Sequence, residues 1–138
     1  MIFLDTSGII ALAMEVDSFH CQAFEKMQSA ESAGERILVH SYILVEAAAL
    51  VQRRIGTDAS LLFLRRATSF DIVWVDSHLH AQAVEYQAQN RTPKLSFVDV
   101  VSFLVMRSKG VTDFIGFDKH FIEAGFRQYG SQETDSET

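Results

Sequence analysis

Cysteine is nearly missing from this sequence. A single one, Cys21, excludes an internal disulfide framework and any Cys-rich zinc site. Its expected place is the interior, as a small hydrophobe. One proline and seven glycines in 138 residues leave few chain breakers, and no internal repeat is visible. No apolar run is long enough to span a membrane and no signal-peptide pattern is present, so a reducing cytoplasm is the expected compartment. Positive charge is also scarce. Twelve Lys and Arg against 18 Asp and Glu give a net charge of -6, which argues against a protein that grips nucleic acid by bulk charge. It leaves room for an enzyme whose acidic site is neutralised by cations. What the chain does have is apolar residues, 48% of the total, enough for one domain with a real core. That domain is expected over residues 1–128, with a polar, acidic and disordered tail over 129–138.

The first strong signal is the opening stretch. Ile2-Phe3-Leu4 reads as a strand buried on both faces, and Asp5 follows with no linker. An ionised carboxylate attached to a core strand belongs at the edge of the core, where the strand opens, and in open α/β sheets that edge is the ligand crevice. Thr6 and Ser7 are placed to cap the helix that follows, and Gly8 permits a close backbone approach. Further strands are expected at Ile37-Leu38-Val39, Phe70 to Val75 and Thr112 to Phe117, with an edge strand around Gly125 to Arg127. Helical spacing fills the segments between them. Ser41 is placed to cap a helix reaching Arg53-Arg54, Asp76 or Ser77 one that runs to about Asn90, and Ser96 one over Phe97 to Lys109. Strands alternating with helices predict an α/β fold: a three-layer α/β/α sandwich on a mostly parallel sheet of four or five strands. Trp74, on the third strand, is expected in the core.

Three more carboxylates stand in unusual company. Glu46 lies in a helix that reads as apolar all round, one turn in and too far along to cap. Asp99 sits in the first turn of a helix rich in Val, Leu and Phe. Asp118 follows the fourth strand at the start of another helix, where partial positive charge makes an acid tolerable. Each has a plain alternative: Ser96 to Asp99 as a capping box, Asp118 as an N-cap, Glu46 held by an arginine. In the expected topology, however, all four acids face one edge of the sheet. Such a cluster repels itself unless cations are present, and oxygen donors suit Mg2+ or Mn2+. Phosphodiester hydrolysis is the natural chemistry of that site.

Asp5 in Phe-Leu-Asp-Thr-Ser, Glu46 in Ser41-Tyr-Ile-Leu-Val-Glu, Asp99 in Leu95-Ser-Phe-Val-Asp and Asp118 in Phe117-Asp-Lys-His-Phe121 resemble, in order and spacing, the four acidic motifs of the PIN-domain family, especially its VapC-like toxins. The resemblance reaches to about Phe126. It implies a Mg2+- or Mn2+-dependent ribonuclease that is dimeric and paired with a small antitoxin blocking the site. It also implies that Asp5, Asp99 and Asp118 are metal ligands and catalytic residues, with Glu46 ligating directly or through water. Gly116 departs from the family, which often carries Thr or Ser there, and so removes a hydroxyl from the site.

Substrate contacts are less legible. Thr6, Ser7, Arg53 and Lys119 are the candidates for binding RNA, with capping or solvation as the alternative for each. The five histidines show no recognised metal spacing with the acids. Two other classes compete with the nuclease: a non-catalytic interaction module on the same fold, and a Mg2+-binding receiver domain with Asp76 as phosphoacceptor. The receiver leaves Glu46 and Asp99 without a role.

Overall fold

The computed structural model describes residues 1–130. Among them, five parallel strands form one sheet in the order β3-β2-β1-β4-β5: β1 (Ile2–Leu4), β2 (Ile37–His40), β3 (Asp71–Val73), β4 (Asp113–Ile115) and β5 (Arg127–Gln128). Helices α1 (Thr6–Ala13), α2 (His20–Ser32), α3 (Ser41–Arg54), α4 (Thr57–Arg66), α5 (Ser77–Gln89), α6 (Phe97–Lys109) and α7 (Lys119–Glu123) make the connections. The expected α/β sandwich is therefore what forms.

The central strands behave as their composition requires. Phe3, Leu38, Val39 and Ile115 are fully buried, and Phe3 and Phe114 stack on Phe121 at ring-centroid separations of 6.0 and 4.9 Å. Each buried side chain of this size contributes about 1.5–3 kcal/mol. The chain leaves β1 towards β2 and β3 on one side and returns to β4 on the other. The order thus reverses between β1 and β4, and the crevice beyond their C-terminal ends is the expected ligand site of such a sheet.

Gly8 closes that corner. A Cβ there would lie 2.7 Å from the Ile115 carbonyl oxygen, so α1 can sit this close to β4 only without a side chain.

Several expectations give way. Trp74 immediately follows β3, an edge strand of the sheet, and is 71% exposed. Cys21 is exposed on the outer side of α2. Helix α3 is not enclosed all round: Ile43, Leu44, Ala47 and Val51 are buried while Val45 is 69% exposed. Its N-cap is His40, whose Nδ1 accepts the Ile43 N–H; Ser41 instead accepts the Val75 N–H and ties α3 to the segment after β3. The expected tail falls largely outside the described residues.

Candidate active site

Asp5 follows the last residue of β1 and is the N-cap of α1, a role the sequence leaves open between it and Thr6 or Ser7. Its Oδ2 accepts the Ser7 hydroxyl at 2.8 Å and the Ser7 N–H at 3.4 Å. The same Ser7 oxygen accepts the Phe117 N–H at 2.8 Å, so one hydroxyl fastens the Asp5 turn to the segment leaving β4. Room for this comes from Gly116, where a Cβ would lie 2.9 Å from the Asp5 Cβ and 3.1 Å from the Ser7 Oγ. The glycine that departs from the family pattern thus allows two backbones to meet at the crevice.

Asp118 caps α7, and its Oδ1 accepts both the His120 N–H at 2.9 Å and the His120 Nδ1–H at 2.7 Å. Asp99 completes a full capping box with Ser96 at the start of α6. Capping and clustering are not alternatives here. Ligand atoms of Asp99, Asp118 and His120 all lie within 4.8 Å of one another. Glu46 Oε1 accepts the Thr6 hydroxyl at 2.7 Å, which links α3 to the residue next to Asp5.

Electrostatics expose the cost of this arrangement. Asp5 is 3% exposed, and its carboxyl is pushed up to about 7, first by burial and then by the negative charges of Asp99 and Asp118, although the Ser7 hydrogen bond opposes the rise. Asp99 is likewise raised, by burial and then by Asp118. Among the described residues no Lys or Arg forms an ion pair with any of the four acids; the ion pairs are Met1–Glu35, Arg36–Asp71, Asp118–His120 and Arg127–Asp113. The arginine alternative for Glu46 finds no support. Acids crowded together with one imidazole and no Lys or Arg partner are a donor set that fits a hard divalent cation, the imidazole being compatible with Mn2+ as well.

A PIN-domain family profile matches residues 2–127. The chain belongs to the PIN-domain family. Two relatives of this PIN domain are the 23S rRNA-specific endonucleases VapC20 of Mycobacterium tuberculosis strains CDC 1551 and H37Rv, each 34% identical over 128 residues, covering 91% of this chain and 95% of the relative. The crystal structure of M. tuberculosis VapC20, described as a Sarcin-Ricin loop cleaving toxin, superposes with a TM-score of 0.79 at 31% identity, covering 91% of this chain and 96% of that one. The likeness to ribonucleases speaks against the receiver reading, in which Asp76 was the phosphoacceptor; Asp76 accepts the Leu79 N–H as the N-cap of α5.

Around the PIN-domain crevice, Thr6 and Ser7 have their hydroxyls committed to Glu46 and Asp5, which makes them braces of the acids first. Arg53 and Lys119 are exposed, Lys119 immediately after Asp118 and Arg53 two helical turns beyond Glu46. His120, grouped by sequence with the histidines that lack a recognised metal spacing, is the residue the structure adds to the acids. Its signal was the Asp-x-His spacing across a helix start, which puts an imidazole back onto its own capping carboxylate.

Proposed function

We propose that this PIN-domain protein is a Mg2+- or Mn2+-dependent endoribonuclease, the toxin of a type II toxin–antitoxin pair, acting in the cytoplasm on ribosomal RNA. One observation carries the reading: Asp5 feels the charges of Asp99 and Asp118 at the β1/β4 switch point, and no Lys or Arg among the described residues pairs with any of the three. The identity to the two rRNA endonucleases extends over nine-tenths of the chain and favours ribosomal RNA as the substrate. Asp5, Asp99 and Asp118 would hold the metal, with Glu46 ligating directly or through water.

A bound divalent ion supplies charge neutralisation at the scissile phosphodiester and lowers the pKa of a coordinated water. The chain's own residues preorganise the site for it. Ser7 fixes the rotamer of Asp5 and the position of the β4 exit together. His120 orients Asp118, and the capping box orients Asp99. Thr6 turns Glu46 towards the crevice. Burial of Asp5 keeps bulk water from screening the site, so each charge acts more strongly than it would at the surface. Lys119 and Arg53 are placed to meet phosphates beyond the acids.

Incubation of the purified protein with ribosomes and with extracted ribosomal RNA, in Mn2+ and then in EDTA, tests this reading. Cleavage that needs the metal and disappears in Asp5→Asn and Asp99→Asn is the expected result. Cleavage that persists in EDTA, or in both variants, would remove its chemical basis. A homodimer and an inhibitory antitoxin belong to the same proposal. Light scattering on the pure chain tests the dimer, and co-expression with a short neighbouring reading frame tests the antitoxin.

A further inference from the structure

Beside the acids, on the α3/α6 side, lies a group of rings that the proposed chemistry does not use. Tyr42 occupies the first turn of α3, four residues before Glu46, so the two side chains rise from one helix face. Its hydroxyl is 2.6 Å from His80 Nδ1 on α5. Phe97 opens α6 two residues before Asp99, with its ring centroid 5.1 Å from His80 and 6.3 Å from Tyr42. The three rings therefore join the starts of the two helices that carry Glu46 and Asp99.

Tyr42 and Phe97 pack against the core on one side and reach solvent on the other. His80 is exposed, and Tyr42 and Phe97 are only half-buried. The loop leading to Phe97 presents Lys94, exposed and held at φ +67°. A left-handed conformation costs a non-glycine residue about 1–2 kcal/mol, and strain of this kind concentrates at functional positions. Among the described residues Lys94 takes part in no ion pair. A half-exposed group of rings with an unpaired cation three residues away along the chain supplies what proteins use to hold unpaired nucleotides: the rings stack on a base and the cation meets the backbone. The need for such a device follows from charge. A chain of net charge -6 with an acidic crevice repels a polyanion, so its affinity has to come from contacts other than bulk electrostatics.

We propose that Tyr42, His80 and Phe97, with Lys94 three residues before Phe97, form a subsite that stacks one unpaired base of the RNA next to the nucleotide being cut. The inference rests on the ribonuclease reading above and adds to it where the substrate lies. Stacking on an aromatic group changes affinity by about tenfold per base.

The test uses a fluorescent RNA hairpin with an unpaired loop, and the same hairpin with an abasic residue moved through the loop one position at a time. In Mn2+ buffer, His80→Ala and Tyr42→Leu are each expected to raise KM about tenfold. One abasic position should raise the wild-type KM to a similar extent and add nothing further in His80→Ala, because the base and the ring are partners in one contact. Tyr42→Phe, which keeps the ring, is expected to lose less than Tyr42→Leu. Should Tyr42→Leu fail to fold, His80→Ala, an exposed position, carries the test alone. Metal-dependent cleavage with KM within twofold in His80→Ala and no coupled abasic position would overturn the subsite and leave the nuclease standing. Variants that dissociate a dimer at unchanged KM would assign the rings to a protein interface and overturn it as well. A wild-type protein that cuts no RNA would remove both the subsite and the reading beneath it.

Discussion

Asp5 shows what the function costs at the scale of one residue. Its carboxyl is raised from 3.8 to about 7, so the native state without metal holds the proton more tightly than the unfolded chain does. The contribution to stability is therefore present at low pH and lost as pH climbs from about 4 towards 7. Asp5→Asn retains an acceptor for the Ser7 N–H and carries no charge. In EDTA at pH 8 it is expected to be a few kcal/mol more stable than wild type, given about 1.4 kcal/mol per pKa unit, while cleaving nothing. Urea unfolding of both proteins at pH 5 and pH 8 checks this: the difference at pH 5 should be less than half of that at pH 8. Gly116 gives a second prediction. An alanine there brings a Cβ to 2.9 Å from that of Asp5, and the turn has to move. Gly116→Ala is expected to cost about 1–3 kcal/mol as overpacking and to lower cleavage with it. An unchanged unfolding midpoint would show that the Asp5 turn yields freely.

Between elements, the telling contact is one the sequence did not reveal. His40 ends β2 at 0% exposure; its Nε2–H donates to the Ser102 hydroxyl at 2.9 Å, and that hydroxyl donates to the Val98 carbonyl at 3.0 Å. A buried relay thus pins α6, which carries Asp99, to the start of α3, which carries Glu46. Burial holds the imidazole down at about 3, so it stays neutral in the fold and protonates in the unfolded chain. Its contribution is lost as pH falls below about 6.5, with a slope approaching 1.4 kcal/mol per pH unit. Ser102→Ala leaves the Nε2–H without its partner in a dry place and is expected to cost about 1–3 kcal/mol, read by denaturant unfolding at pH 7.5. The acids themselves were legible beforehand, because Asp5, Asp99 and Asp118 each break an apolar run at an element boundary. Trp74, His40 and His120 were not. Exposure of Trp74 depends on β3 being an edge strand, capping by His40 on what lies across the sheet, and the role of His120 on a side chain folding back over its own helix start. None of these is written in local spacing. Glu46 fell between the two: its position was readable, but the solvent-facing side of α3 was not, since Val45 and Ala49 look as apolar in sequence as Ala47.

For the whole molecule, the proposed function couples the acidic crevice to the stability of the fold through a divalent cation. Asp5 and Asp99 destabilise the metal-free fold by carrying charge where they are buried, and a divalent ion that bound only the folded state would reverse this by mass action. Mn2+ at a hundred times its dissociation constant stabilises by about 2.7 kcal/mol, which for a chain of this length corresponds to a rise in Tm of roughly 8 °C. The proton on Asp5 competes with the metal. With that carboxyl at about 7, the Mn2+ concentration needed for a given shift is expected to be about tenfold higher at pH 6 than at pH 8. Asp5→Asn should show a smaller rise at every concentration and little dependence on pH, since the competing proton is gone. Thermal scans across a Mn2+ series at the two pH values separate the possibilities without any RNA present. A wild-type midpoint that ignores Mn2+, or moves equally in Asp5→Asn, would mean that the three carboxylates are joined by capping and packing alone.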